Sequence, residues 1–244
     1  MKKTFTLLSI ISLFSFYAKA QDIKEYVKSY MGLTAGLSSP LGDFARYDYA
    51  NGSGFAKRGA TVGLDGAVYV YKNLAIGGMF TFQDQGELTT NNAQTLADGY
   101  NSQLNKYATL VQGVNRYHNY NFMIGPQYSF TRGKFILDLR ASAGIVKSAS
   151  TPALTIIFDS STSSEKTINQ LSSTGTALAY GGSAGLRWTF AEGWDLGLKA
   201  NYIDSKGVKV KNTGDTDQLI NGSRLVTKQP ITVLQTNLEI SFNF

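Results

Sequence analysis

The last stretch of the chain, residues 230–244, alternates strictly between two kinds of side chain. One set is apolar or threonine and ends in two phenylalanines, whereas the other is mostly polar and carries Glu239 near its middle. The first set comprises Thr232, Leu234, Thr236, Leu238, Ile240, Phe242 and Phe244. A period of two residues indicates a β-strand with one face in apolar and the other in polar surroundings. The rest of the chain must supply a β-structure that offers this strand both environments.

Residues 1–20 have the pattern of a secretory signal peptide. Lys2 and Lys3 form a basic start, residues 4–17 are mostly apolar, and Ala18-Lys19-Ala20 fits an A-x-A cleavage site. The apolar part is shorter than the ~20 residues of a membrane-spanning helix. We therefore expect cleavage after residue 20.

Composition excludes several classes of protein. The absence of cysteine excludes a disulfide framework and lipid attachment through an N-terminal cysteine. Without residues 1–20 the chain has 20 basic and 17 acidic residues, so its net charge falls from +6 to +3 and gives little support for nucleic-acid binding.

The most continuous apolar stretch downstream, residues 153–158, is far shorter than the ~18 residues of a transmembrane helix. With 25 glycines, 14 tyrosines, 14 phenylalanines and only 4 prolines, the composition is typical of many strands joined by glycine-rich turns.

Seven further segments alternate in the same way, so the sequence predicts eight strands. These predicted strands are 27–38, 59–71, 74–83, 117–130, 135–146, 176–190, 194–203 and 230–244. Short turns alternate with long loops, and both ends of the chain fall on the side of the short turns. Pro126 cannot donate a ladder hydrogen bond, so it predicts a bulge or local irregularity in the fourth strand.

Seven mid-strand charges all fall on the polar side of the alternation. They are Asp65, Asp138, Arg140, Arg187, Asp195, Lys199 and Glu239. Placing Arg or Lys toward lipid at mid-membrane costs roughly 2–4 kcal/mol, so the polar side must face inward. The sequence predicts an all-β fold, an eight-stranded antiparallel up-and-down transmembrane β-barrel. Because side chains just fill an eight-stranded barrel, we expect a paired polar network to close its interior.

Aromatic residues bracket the short turns and predict a girdle at one membrane interface. This set is Tyr71, Tyr128, Phe130, Phe135, Trp188, Phe190, Trp194, Phe242 and Phe244. A second girdle at the opposite end is predicted from Tyr117, Tyr120, Tyr180 and Tyr202.

Three groups of residues carry a resemblance to a known family: 31–37 with 40–44, 125–130 with 134–139, and 240–244. In these segments the chain resembles the eight-stranded outer-membrane barrel family that includes OmpA-type and OmpX-type proteins, and the likeness extends over residues 21–244. The resemblance implies a signal peptide at 1–20, a barrel domain at 21–244, and a place in the bacterial outer membrane, most simply as a monomer. It also implies that Ile240, Phe242 and Phe244 form the assembly signal read by the barrel-assembly machinery. We expect no C-terminal peptidoglycan-binding domain of the kind that follows the barrel in OmpA.

Basic residues gather where the predicted strands meet the long loops. They are Lys57, Arg58, Arg116, Lys147, Lys206, Lys209, Lys211 and Lys228. Lys and Arg bind phosphate well, so these residues are candidate contacts to lipopolysaccharide in the outer leaflet. The alternative is that they are solvated loop charges.

Two sequence features are also found in enzymes, but neither has the context that catalysis requires here. Gly181-Gly-Ser-Ala-Gly185 matches the G-x-S-x-G nucleophile elbow, but it lies within a predicted strand, and the elbow requires a strand-to-helix turn with a later histidine. The only histidine, His118, precedes it. A His-x-Ser pattern with an acidic partner would resemble the barrel-type lipid A deacylases. This sequence has His118-Asn119-Tyr120 instead. We expect no enzyme, cofactor or metal site.

The sequence favours a structural or surface-interaction role, with long loops presented outside. A narrow porin-like channel for small or apolar solutes is the first alternative, and a lipid-modifying membrane enzyme is the second. Within the loops, residues 154–158 and 208–211 have a period of two and predict hairpins beyond the membrane. Their free edges would pair with strands of a surface partner.

Overall fold

The computed structural model describes residues 27–46, 53–86, 98, 107–114, 116–159, 166–210, 212–214 and 228–244. The predicted signal peptide lies outside these residues. The strands are β1 (Tyr30–Pro40), β2 (Gly59–Tyr71), β3 (Leu74–Gln85), β4 (Tyr107–Val114), β5 (Tyr117–Arg132), β6 (Phe135–Ser150), β7 (Ala153–Asp159), β8 (Lys166–Gln170), β9 (Gly175–Ala191), β10 (Trp194–Ser205), β11 (Val208–Lys209), β12 (Asn212–Gly214), β13 (Lys228–Gln229) and β14 (Thr232–Asn243). One short helix, α1 (Gly42–Ala45), follows β1.

Eight of the described strands close into an antiparallel barrel in the order β1-β14-β10-β9-β6-β5-β3-β2, which confirms the predicted fold class. The barrel closes where β1 meets β14, with Tyr30 opposite Asn243 and Pro40 opposite Val233. The N–H of Phe244 donates to the carbonyl oxygen of Ser29 at 2.9 Å, which extends this seam beyond the last strand.

The two ends of the barrel differ. Short turns at 72–73, 133–134 and 192–193 lie at one end, together with the start of β1 and the close of β14. We call this the turn end, and the opposite end, from which the long connections leave, the loop end. Gly133 and Gly193 adopt φ angles of 59° and 76°, a left-handed conformation that glycine reaches without steric cost.

The barrel wall is apolar outside, while its inner face is mostly polar and carries an apolar cluster towards the loop end. In β14, Leu238 is 64% exposed, while its neighbours Asn237 and Glu239 are 1% and 2% exposed. A belt of exposed apolar side chains around a whole barrel fits a hydrocarbon environment. The described residues include no helix with the length and apolar character needed to span a bilayer.

Pro126 marks a local irregularity in the pairing of β5, as predicted. At Pro126 there is no bulge: the β5–β6 pairing omits Gly125 and Pro126, yet the same register resumes at Gln127 opposite Arg140. The missing N–H of proline interrupts the ladder without adding a residue. The register of this strand pair shifts instead at His118, close to the loop end.

One prediction is wrong: Tyr117 does not belong to the outer aromatic girdle. It is 3% exposed, and its ring packs edge-on against Phe44 of α1 with centroids 4.9 Å apart. Tyr117 has the same strand parity as Asn119, so it points inward. Tyr120, Tyr180 and Tyr202 are exposed on the outer surface.

Two smaller sheets lie beyond the barrel. The order β12-β8-β7-β4 forms one, in which β7 and β8 make a hairpin over the predicted segment 154–158. The other is a ribbon of β11 and β13, which covers part of the predicted segment 208–211.

Candidate functional site

The seven predicted inward charges, here called the charged network, all lie inside the barrel and are at most 5% exposed. Arg140 on β6 donates two hydrogen bonds to the carboxylate of Asp65 on β2, from Nη1 to Oδ2 at 2.8 Å and from Nη2 to Oδ1 at 3.0 Å. Lys199 on β10 reaches the same carboxylate. Because β2, β6 and β10 are not neighbours in the barrel, these contacts cross the interior.

A second part of the charged network is centred on Arg187. Its Nε donates to Asp138 at 2.6 Å and its Nη1 to Asp195 at 2.7 Å. The guanidinium also lies 3.7 Å above the ring of Tyr30, a cation–π arrangement. Buried charges are tolerated when they are paired and hydrogen-bonded in this way.

Glu239 is the least satisfied member of the charged network. Lys199 Nζ lies 3.7 Å from its Oε2, and Oε1 has no hydrogen-bond partner. The network contains four carboxylates and three cations, so full ionisation leaves one negative charge in excess. Neighbouring polar atoms on the same strand, in Asn237 and Ser241, also lack protein partners.

Towards the loop end lies an amide layer, formed by Thr81, Gln83, Asn121 and Gln235. The Oε1 of Gln83 accepts hydrogen bonds from Asn121 Nδ2 at 3.0 Å and from Gln235 Nε2 at 2.9 Å. Gln235 lies on β14, which is separated from β3 by two strands, so this layer also crosses the interior. These contacts involve no buried ions, although Asn121 Oδ1 and Gln235 Oε1 have no hydrogen-bond partner.

Towards the loop end, a mouth cluster of apolar side chains packs around Phe44, which is fully buried. The cluster extends into the barrel past the amide layer to Met79 and Met123, which lie opposite each other on β3 and β5. The cluster comprises Phe44, Ala56, Met79, Tyr117, Met123, Val146, Ala177, Ala179, Ile203, Val208, Ile231 and Val233. Backbone hydrogen bonds from Leu41 to Thr232 (2.9 Å) and from Ala56 to Phe44 (3.0 Å) fasten the segment that carries α1. The charged network, the amide layer and the mouth cluster therefore all occupy the interior between the turn end and the loop end.

These layers also contain uncharged residues that the pattern of charges does not predict. Tyr30 is 1% exposed and donates to Asp65 at 3.0 Å, while Gln127 accepts from Arg140 Nη2 at 2.7 Å. Both share the inward parity of the charges, which is the signal that identifies them. The pattern does not predict Gly77 either: a Cβ there would lie 2.6 Å from the Arg140 guanidinium carbon, so glycine makes room for that side chain.

Seven of the eight predicted basic contacts lie at the loop-end rim. The exposed ones are Lys57, Arg58, Arg116, Lys147, Lys206, Lys209 and Lys228, whereas Lys211 lies outside the described residues. Arg116 is already engaged, since its Nε lies 3.2 Å from Asp84. We call the seven exposed residues the basic rim.

His118 lies between a carboxylate and a hydroxyl at this rim. Its Nε2 is 3.5 Å from Asp84 Oδ1, and its Nδ1 is 3.0 Å from Ser150 Oγ. The shift in the β5–β6 register turns Ser150 to the same side as His118, which alternation alone does not reveal. Ser150 Oγ donates to the carbonyl oxygen of Arg116 at 2.7 Å. This hydrogen bond directs the hydroxyl proton away from the imidazole, an arrangement suited to tying strands together rather than to activating a nucleophile.

The residues of the predicted assembly signal face outward near the turn end. Ile240, Phe242 and Phe244 are 44%, 47% and 65% exposed, and Phe242 packs against Trp194 with ring centroids 5.4 Å apart. Among the described residues, no group of three or more His, Cys, Asp or Glu side chains is arranged to hold a metal ion.

Comparison with known proteins identifies one matching family model, the outer membrane protein beta-barrel domain, over residues 6–223. Similar solved structures include Neisserial surface protein A, with 10% identity, 88% of this chain and 97% of that chain covered, and a TM-score of 0.45. The attachment invasion locus protein Ail of Yersinia pestis is 14% identical, with coverages of 89% and 100% and a TM-score of 0.44. The N-terminal barrel domain of Pseudomonas aeruginosa OprF is 12% identical, with coverages of 90% and 100% and a TM-score of 0.36. A search of curated proteins gave no match.

Proposed function

We propose that this chain, which belongs to the outer membrane protein beta-barrel domain family, is a closed structural barrel. Its loop end would present an interaction surface outside the cell. Family membership supports a location in the bacterial outer membrane and a structural or surface role. In outer-membrane barrels the short turns face the periplasm and the long loops face outward. The turn end of this barrel would therefore face the periplasm, and the loop end would face outward. We propose three features for this barrel: a closed interior, contacts with outer-leaflet lipid, and a protein partner outside the cell.

The cross-barrel contact between Arg140 and Asp65 carries the proposal of a closed interior. Side chains that are 5% and 3% exposed, joined by a two-point ion pair, occupy the axis where a conducting barrel needs water. The amide layer and the mouth cluster add two further obstructions. We therefore favour a closed barrel over a narrow channel for small or apolar solutes.

Conductance in planar lipid bilayers tests closure directly. Purified protein is expected to insert without steady single-channel steps at any applied polarity. Large, stable steps would overturn the closed interior and favour the channel. A barrel of the same family with a known conducting lumen serves as the positive control for insertion.

The basic rim supports contact with lipopolysaccharide phosphates as the second part of the proposal. Its cations lie at the end that faces the outer leaflet, and the exposed Tyr120, Tyr180 and Tyr202 belong at the headgroup level of a membrane. Thermal unfolding of charge-reversed variants, with and without lipopolysaccharide, measures the contact. Equal responses of the wild type and the reversed proteins would contradict it.

The sheet beyond the barrel supports a surface-protein partner. Strand β4 pairs with β7 on one side and, among the described strands, with none on the other. Its sequence, YATLVQGV, has neither the charges nor the proline that usually protect a free edge. Cells that display a variant lacking residues 153–170 are expected to attach less to a partner surface than cells with equal amounts of the intact barrel. Equal attachment would count against this role.

No catalytic role enters the proposal, because the Ser150 hydroxyl is directed to a backbone carbonyl. Mass analysis of lipid A from cells that overproduce the protein is expected to show the pattern of cells without it. A new acyl composition that depends on His118 would revive the enzyme alternative.

A further inference from the structure

Two lysines of the basic rim lie directly opposite each other. Lys209 on β11 pairs with Lys228 on β13, next to the pair formed by Val208 and Gln229. Both lysines are exposed, whereas Val208 and Gln229 are buried. Directly opposed residues of an antiparallel pair share a face with Cβ atoms ~4.5–5.5 Å apart, and like charges in that position destabilise the ladder. The ribbon therefore holds together two groups that repel each other.

The backbone around the ribbon is fastened from its buried side, so the strands cannot simply separate. Ile231 N–H donates to Ser205 Oγ at 3.0 Å, and Ser205 N–H donates to the Ile231 carbonyl oxygen at 3.1 Å. Gly207, just before the ribbon, has a φ of 93°, which favours glycine. Val208 is fully buried in the mouth cluster. The two lysine positions are thus set by contacts that do not involve their own charges.

Lys206 adds a third exposed cation beside the ribbon, and its N–H donates to Leu178 O at 3.0 Å. The adjacent carboxylate of Asp204 is already occupied, since its oxygens accept hydrogen bonds from Tyr180 at 2.6 Å and from Thr232 at 2.7 Å. In the part of the chain that the structure describes, no carboxylate lies within ion-pair distance of any of these three lysines. The cations lack an internal counter-charge there.

We propose that Lys209 and Lys228, supported by Lys206, clamp a phosphate group of a lipid in the outer leaflet. A phosphate carries several acceptor oxygens, so it can accept hydrogen bonds from two ammonium groups at once and remove their repulsion. The lipid is favoured over a soluble anion because Tyr180 and Tyr202 lie on the outer surface at the same end of the barrel, where tyrosines mark the headgroup level. This inference rests on the proposed lipid contact of the basic rim and assigns it to one pair.

The test uses the full mature chain in maltoside micelles, which contain no phosphate, with lipid A, dephosphorylated lipid A, or neither. Thermal unfolding is measured for the wild type, for Lys209→Gln and Lys228→Gln, and for the control Lys134→Gln, which removes an exposed lysine from a short turn at the opposite end. We expect lipid A, and not its dephosphorylated form, to raise the Tm of the wild type and the control. In both clamp variants most of that rise should be lost.

A second readout separates a binding site from a structural contact. Without phosphorylated lipid, each clamp variant should have a Tm equal to or higher than that of the wild type, because it removes a like-charge pair. A lower Tm in that condition would mean that the lysines stabilise the fold by themselves, and would overturn the clamp.

Three further outcomes also contradict the clamp, and each has a different meaning. If the wild type gains nothing from lipid A, the lipid contact of the basic rim fails together with the clamp. If the wild type and both clamp variants gain equally, the rim contact stands and the assignment to Lys209 and Lys228 fails. If inorganic phosphate in lipid A-free micelles reproduces the full rise, the site binds a soluble anion and the lipid source is wrong.

Discussion

Arg140 and Asp65 form a bidentate ion pair across the barrel, with Nη1–Oδ2 and Nη2–Oδ1 distances of 2.8 and 3.0 Å, although three strand-to-strand steps separate β6 from β2. Asp65 also receives Lys199, so a single carboxylate ties strands from three parts of the wall. The stability of the barrel should therefore depend unequally on the carboxylates of the charged network.

Asp65→Asn should destabilise the barrel by about 3–5 kcal/mol, because removing one partner of a buried pair leaves an uncompensated charge. Here two cations, Arg140 and Lys199, would lose their shared partner. Urea unfolding of the protein in lipid vesicles measures the loss. Glu239→Gln is the matched control: it removes a carboxylate that has one cation at 3.7 Å and an unpartnered oxygen, so its effect should be much smaller. Equal losses would show that the two acids contribute alike.

Gly77→Ala should cost about 1–3 kcal/mol, the usual range for overpacking, because the new methyl group would lie 2.6 Å from the Arg140 guanidinium carbon. The next residue provides the control. Gly78→Ala faces outward and meets only the Met123 carbonyl oxygen at 3.5 Å, so its effect on the free energy of unfolding should be close to zero. The same vesicle assay compares the two, and a neutral Gly77→Ala would mean that Arg140 has room to move.

Phe44→Ala should loosen the loop end, since truncating a buried phenylalanine costs about 3–5 kcal/mol. Amide exchange at Gly54 and Ala56 reports this, because their N–H groups bond to Asp43 and Phe44 in the same segment. Both amides should exchange faster, and steady conductance should remain absent because the charged network is unchanged. Arg46→Ala is the control: it breaks an exposed pair with Asp43, worth about 0–1 kcal/mol, and should leave exchange nearly unchanged.

Phe244→Ala should slow barrel assembly in cells without a comparable loss of stability in vitro, if the terminal strand carries the assembly signal. Leu238→Ala is a suitable control, because Leu238 and Phe244 are almost equally exposed on the same face of β14, at 64% and 65%. Heat-modifiable gel mobility after pulse labelling follows the folded fraction over time. Equal kinetics for the two variants would remove the special role of the last residue.

The alternation of the strands was enough to predict which way the charges point, but not which of them meet. Asp65 and Arg140 each had the inward parity, so their location followed from the cost of placing charge in lipid. Their pairing depends on the stagger of the strands around the closed barrel, which a single sequence does not encode locally.

Parity also failed as a guide near the loop end. Ser150 lies on the side of His118 only because the β5–β6 register shifts there. Phe44 comes from a long loop without a period of two, and nothing in its neighbours indicates that it enters the barrel mouth. These residues are positioned by tertiary packing, which overrides local pattern.

The seam between β1 and β14 has a consequence for the timing of folding. It joins Tyr30 to Asn243, so neither edge of the sheet is covered until the whole chain has been synthesised and exported. Pairings between residues so distant in sequence are slow to form, and unpaired edges invite association with other chains. A chain without β14 therefore leaves both edges of its sheet unpaired. We expect periplasmic chaperones to keep such a chain from aggregating until the barrel closes in a single late step.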